Sequence, residues 1–375
     1  MGVKFHWRLV QRGESDTPPF GAAGAIGAIG EKRVAEEAAL PAVEEQAEFC
    51  RQAEDAGIDS VLVDINLGKP DPMALALPLA LATRKLRFMV AHRPGLMAPL
   101  LFVQQVNTFS VLTGGRITLN MVAGHSPAEQ RAYGDGLGHD ERYRRMDEFL
   151  AICRRLWDRD GPVSFDGAHY RIQEARVNTP FVSPDGALAP EIYLGGSSRP
   201  AREVAARRAS CWMRFAEAPE VVRRELAEDG PRAPEVGLRL SVVVRGTREE
   251  AVAAARGLLQ PAGVVRKRES EAAFIQASDS LSMRATLALA EHEEWLTPCL
   301  WAGAVPSHGA TALALVGTPE EVAAAFAAYI AAGISQFILS GWPKREEMVR
   351  FGRDVLPLIR RAAGYSERQL GSPAA

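Results

Sequence analysis

Eight short apolar runs recur along the chain, each followed by a longer amphipathic or alanine-rich stretch, and this alternation decides the fold class. The runs fall at 3–9, 59–64, 86–91, 116–122, 190–194, 209–214, 236–244 and 334–340. Helical patterns lie near 41–56, 71–83, 98–112, 141–157, 199–207, 217–228, 248–259 and 319–332, with a last one near 344–362. A strand that feeds a helix that feeds the next strand builds a parallel sheet, because a crossover returns the chain to run in the same direction. Eight such units predict an α/β fold, a closed (β/α)8 TIM barrel rather than an open sheet. The expected organisation is one barrel domain over 1–365, with insertions near 10–40, at 161–189 and at 260–315, and a disordered small polar tail, 366–375. The third insertion carries His292, Trp295, Trp301 and His308 among charged and small residues. It reads as a lid, since long βα connections wall the active face of barrels.

The length of 375 residues exceeds one average domain, but barrels absorb such lengths in their insertions. Hydrophobic residues at 47% suffice for a core without disulfide or metal staples. The net charge of -2 comes with no long basic block, and Arg266-Lys267-Arg268 is answered at once by Glu269 and Glu271, so neither nucleic acid nor anionic membrane is an expected partner. Cys50, Cys153, Cys211 and Cys299 are far apart and form no CxxC pair. That usage fits a reduced cytoplasm, and the N-terminus lacks the uninterrupted apolar core of an export signal. The histidines are scattered without HxH or HExxH spacing, so no metal site is expected. The glycines from Gly21 to Gly30 are spaced GxxGxxG, which is not a dinucleotide fingerprint, and they read as a flexible loop.

Several positions carry candidate chemistry. Leu194-Gly195-Gly196-Ser197-Ser198 joins a strand to a helix start, where glycines let the backbone approach an anion and free N–H groups point at it. The alternative is a tight turn with an ordinary serine cap. Asn120 near the end of the fourth strand offers a donor and an acceptor suited to a flavin edge, or satisfies a hydrogen bond inside the barrel. His139 and Tyr143 stand four apart on a helix, so both can reach one ligand, or His139 merely caps the helix. Asp64 and the pair His92-Arg93 end the second and third strands, on the active face of any barrel. Arg239 interrupts the apolar run Val236–Val244, where a charge is costly unless it is paired or lines a pocket.

Taken in order, Phe5-His-Trp7-Arg-Leu9, Arg93-Pro94, Gly115-Arg116, Leu119-Asn120, Glu141-Arg142-Tyr143, Leu194–Ser198, Leu300-Trp301-Ala302-Gly303, Leu315-Val316-Gly317 and Phe337–Gly341 form a specific series. With it the chain resembles the luciferase-like flavin monooxygenases from about Val3 to Arg361, and among them the FMNH2-dependent alkanesulfonate monooxygenases. The resemblance implies a bacterial-luciferase-type barrel that uses reduced FMN (FMNH2) and O2. It also implies a separate NAD(P)H:flavin reductase and a homodimer or homotetramer. It assigns the cofactor to Asp64, His92, Asn120, His139, Tyr143, Gly196, Ser197 and Ser198, and the catalytic pocket to Arg239, Ser241, His308 and Trp342.

The departures bear on substrate. Lys69 stands where those enzymes have a cysteine, Ser241 where they have a histidine, His308 for a lid arginine, Trp342 for a tyrosine and Phe215 for a tryptophan. Loss of the imidazole and the guanidinium removes groups suited to an oxyanion, so the substrate is not expected to be a simple alkanesulfonate. Trp342, Phe215 and Trp301 suggest a larger or more apolar pocket. The competing expectations are a true alkanesulfonate monooxygenase, a deazaflavin-dependent oxidoreductase on the same barrel, and a non-catalytic flavin-binding barrel.

Overall fold

A computed structural model describes residues 2–11, 42–228, 235–259, 264–362 and 364. Among them are twelve strands: β1 (Lys4–Arg8), β2 (Ser60–Val63), β3 (Arg87–His92), β4 (Ile117–Met121), β5 (Val163–Asp166), β6 (Arg171–Ala175), β7 (Ile192–Gly195), β8 (Cys211–Phe215), β9 (Glu235–Val244), β10 (Leu300–Trp301), β11 (Ala314–Gly317) and β12 (Gln336–Gly341). Eight of these pair in parallel in the circular order β9-β12-β1-β2-β3-β4-β7-β8, and β8 returns to β9. The barrel is closed, which leaves the ring itself no free edge. Each of its strands falls on one of the eight apolar runs.

Strand alternation sorts the side chains into two populations. Phe5, Trp7, Val61, Phe88, Leu119, Leu194, Leu240 and Phe337 point outward into the main core against the helices. Leu62, Met89, Tyr193, Cys211, Met213 and Ile338 form a separate cluster inside the barrel. Below that cluster a polar network fills the N-terminal end: His6 Nδ1 lies 2.7 Å from Ser60 Oγ, His6 Nε2 lies 2.8 Å from Gln336 Oε1, and the Tyr193 hydroxyl donates to Gln336 Oε1 at 3.2 Å. With the floor filled in this way, a ligand enters from the C-terminal ends of the strands.

Four strands lie outside the barrel ring. β5 and β6 make an antiparallel hairpin in the 161–189 insertion. β10 and β11 were not anticipated as strands, and β11 has a clear physical reason to exist. β9 has ten residues, and β8 pairs only its first half, Glu235 to Arg239. β11 pairs the remainder, from Ser241 to Val244, and so satisfies backbone that would otherwise be an open edge. The rest of the third insertion forms helices Val264–Ala277, Leu281–His292 and Val305–His308. The insertion expected near 10–40, the glycine run within it and the tail 366–375 lie outside the described residues, apart from Val10 and Gln11. No helix among the described residues is long and apolar enough to cross a membrane.

Candidate functional site

One corner of the barrel mouth is built by the end of β7. Gly196 has φ +134°, and a Cβ there would stand 2.4 Å from the Tyr143 hydroxyl oxygen and 2.7 Å from Ala201 Cβ, so glycine is required on both counts. Ser198 caps the helix Arg199–Arg208 by accepting from the Ala201 N–H at 3.3 Å. Accepting that bond leaves the hydroxyl proton of Ser198 to be donated elsewhere, so capping and anion binding are compatible rather than alternative roles. Tyr143, from the helix His139–Asp158, donates to the Gly195 carbonyl oxygen at 3.2 Å, and the Trp212 indole donates to the Gly196 carbonyl oxygen at 2.7 Å. With both carbonyls held by donors, the amides of the turn are turned to the opposite side. His139 meets Tyr143 edge-on at 5.1 Å, while its Nδ1 lies 2.7 Å from Asp140 Oδ1. Gly196, Ser197, Ser198, Tyr143 and His139 are therefore gathered at one place, with Ser197 exposed to solvent. A cradle that admits no Cβ, beside a capped helix N-terminus, fits a phosphate.

Across the mouth lies a cluster of charges around Asp64. Arg8 Nε donates to Asp64 Oδ2 at 3.0 Å, and the Lys69 amine pairs with Asp64 Oδ1. Burial acts to raise the Asp64 carboxyl, but Lys69 and Arg8 outweigh it and hold the group well below the usual carboxylate range. Arg239 donates to the Ile338 carbonyl oxygen at 3.3 Å. Burial pushes its guanidinium down to about 9, with Arg8 adding to the shift and Asp64 opposing it. Lys344, in the first turn after β12, is buried, and burial together with Arg8 pushes its amine down to about 7. Asn120 has the inward parity of β4 and lies between Ala91 and Tyr193 in register. Arg8 and Lys344 were not among the candidates read from the sequence.

The remaining candidates are buried. His92 has the outward parity of Phe88 and Val90 and is stacked on Phe102 at 4.1 Å and on Phe149 at 5.5 Å, in the helix layer and away from the mouth. Ser241 is fully buried, its hydroxyl donating to the Thr311 carbonyl oxygen at 2.7 Å and accepting from the Ser340 hydroxyl at 2.9 Å; it ties β9 to the insertion. Trp342 and Trp301 belong to a small packed cluster with Val243, Ala312, Ala314 and Val316, so they support the insertion rather than widen a pocket. Trp301 is wholly buried and donates its indole N–H to Glu294 at 3.0 Å. His308 is also buried, its Nδ1 lying 2.8 Å from Ser307 Oγ.

The insertion meets the barrel at β9 and again at the loop after β4. There the Ser278 hydroxyl donates to the His125 carbonyl oxygen at 2.8 Å, and the Asp279 N–H to the same oxygen at 3.0 Å. Arg142 donates to the Ala123 carbonyl oxygen at 2.9 Å and pairs with Asp279, joining the helix that carries Tyr143 to the insertion.

Comparison with known proteins adds the lineage. A sequence model described as luciferase-like monooxygenase matches residues 24–336. The fold is shared with riboflavin lyase (RcaE), solved with modified FMN and riboflavin, at 22% identity and TM-score 0.74, over 100% of this chain and 94% of that one. It is shared with EDTA monooxygenase (EmoA) from Chelativorans sp. BNC1 at 18% identity and TM-score 0.72, over 100% and 97% of the two chains. An F420-dependent secondary alcohol dehydrogenase has the same fold at 16% identity and TM-score 0.63, over 96% and 100%.

Proposed function

The chain belongs to the luciferase-like monooxygenase family, and from that premise we propose that it is the oxygenating component of a two-component flavin monooxygenase. In this reading it takes FMN already reduced by a separate NAD(P)H:flavin reductase, together with O2, and oxygenates a small organic molecule. The observation that carries the reading is the Gly195–Ser198 corner with Tyr143 beside it, a phosphate cradle at the mouth of a barrel. Bound there, reduced FMN would supply the oxygen activation. The protein's part is to hold the phosphate through Ser197, Ser198 and the turn amides, with Tyr143 fixing the turn through the Gly195 carbonyl and redirecting its hydroxyl proton when the anion arrives, to offer Asn120 to the flavin ring, and to keep water out with the insertion above. Arg239 orients the group that reacts. The substrate is not a simple alkanesulfonate: Ser241 already spends its hydroxyl on Thr311 and Ser340, and His308 is buried beside Ser307.

The test is an anaerobic titration of the purified chain with reduced FMN and, separately, with a reduced deazaflavin. Tight binding of FMNH2, and oxygen consumption only when any flavin reductase and NADH are added, support this reading. Binding of the deazaflavin alone makes the chain a deazaflavin-dependent oxidoreductase instead. Steady NADH oxidation by the isolated chain removes the two-component arrangement.

The same reading includes a homodimer. Helices Pro72–Leu81 and Pro99–Thr113 pack side by side and carry no charged residue between them. Leu81, Leu101, Val111 and Leu112 on them, and Val182 beside Ser110, are exposed. Such a face is covered at no cost in desolvated charge by a second copy of itself. A cytoplasmic setting fits the four cysteines, all buried and unbridged.

A further inference from the structure

A carboxylic acid in the covering insertion has no role in the chemistry described so far. Glu271, on the helix Val264–Ala277, is 2% exposed, and its Oε1 has no hydrogen-bond partner among the described residues. That helix packs against the helix Val305–His308, and Glu271 Oε1 would stand 2.6 Å from a Cβ built on Gly309. Gly309 is two residues from Thr311, whose carbonyl is fixed to Ser241 at the end of β9. Almost one turn further along the same helix, Phe274 meets His125, from the loop after β4, edge-on at 5.5 Å. The Nδ1 of His125 also has no hydrogen-bond partner among the described residues. The contact between the insertion and the loop after β4 thus holds an unsatisfied carboxyl oxygen on the insertion and an unsatisfied imidazole nitrogen on the loop.

We propose that Glu271 determines specificity by receiving a nitrogen of the substrate, a protonated amine or a ring N–H, which makes the substrate a nitrogenous compound. This rests on the reading of the mouth as the substrate site.

A buried acceptor without a donor is costly, and an N–H or ammonium arriving with the substrate removes that cost. Among the described residues no cation pairs with Glu271. Burial pushes its carboxyl up to about 7. An ammonium bound against it favours the ionised form and expels the remaining proton. A substrate held by Glu271 on the insertion and Arg239 on the barrel would meet two chemically different groups, which would fix the orientation of a molecule that carries nitrogen at one end only.

The experiment compares benzylammonium with benzyl alcohol, two probes of similar shape, by calorimetry on the full chain with reduced FMN supplied anaerobically. The wild type is expected to prefer benzylammonium by at least about tenfold. Near pH 7 it is also expected to release about half a proton per ammonium bound, read from the buffer dependence of the heat. In Glu271→Gln the preference falls below about twofold and the proton release vanishes. Glu271→Leu gives the same loss and keeps or raises the melting temperature, which separates recognition from folding. A wild type without preference for the ammonium, or a preference that survives in Glu271→Gln, overturns the proposal. Failure of the cofactor reading is seen separately, as absence of FMNH2 binding in the same titrations.

Discussion

The Tyr143 hydroxyl and the Gly195 carbonyl oxygen lie 3.2 Å apart, so a helix three elements earlier in the chain holds the turn that ends β7. Ser198→Asp combined with Tyr143→Phe is expected to weaken FMNH2 binding at least tenfold, about 1.4 kcal/mol. Aspartate caps a helix as well as serine does, so the helix persists while a like charge meets the phosphate. Unchanged affinity in an anaerobic titration places the phosphate elsewhere.

Arg239→Ala is expected to abolish oxygenation of substrate while peroxide release from reduced flavin and oxygen continues. The Gly195–Ser198 turn and Arg239 belong to different strands, so on the proposed reading cofactor reactivity survives the loss of substrate orientation. Product and peroxide are measured side by side with a supplied reductase. Full coupling in the variant would make this arginine structural.

The uncharged helix face gives a third expectation. Leu101→Glu or Leu112→Lys puts a charge where a second copy would bury it, and light scattering should report a monomer with an unchanged circular dichroism spectrum. A wild type that is already monomeric refutes the homodimer.

His92 predicts an acid-side instability. Burial pushes its imidazole from the ordinary value near 6.5 down to about 3, so the folded protein keeps it neutral while the unfolded chain binds a proton below about pH 6.5. Stability is present above that pH and falls as pH drops, by up to about 1.4 kcal/mol per unit from this group. His92→Phe keeps the stacking on Phe102 and should flatten the acid limb of melting temperature against pH. An unaltered limb would assign the acid loss to other groups.

The barrel was legible because its strands are short apolar runs separated by helices long enough for a crossover. The face on which a residue points was less legible. β3 reads Arg-Phe-Met-Val-Ala-His and is buried on both sides, so no polar alternation marks His92 as outward. Lys344 looks like a solvated lysine at a helix start, and Glu271 sits in the run Arg-Lys-Arg-Glu-Ser-Glu. In both cases tertiary packing, not local composition, buries the charge. β11 escaped notice because its small residues, Ala-Leu-Val-Gly, run straight into the Thr318 cap of the next helix. At the Gly195–Ser198 turn the spacing of glycines and serines was itself the geometry, and the structure forms the strand, glycine turn and serine-capped helix that the spacing implies.

The pairing of β11 with the overhang of β9 has a consequence for how this barrel can diversify. The insertion leaves the sheet at Val244 and rejoins it at Ala314, the register partner of Ser241, so both of its roots are pinned to the same strand. Everything between those roots is a cassette. Its length and side chains can change without shifting the register by which β12 meets β9 and β1, and the insertion can be exchanged while the Gly195–Ser198 turn on β7, on the far side of β8, stays as it is.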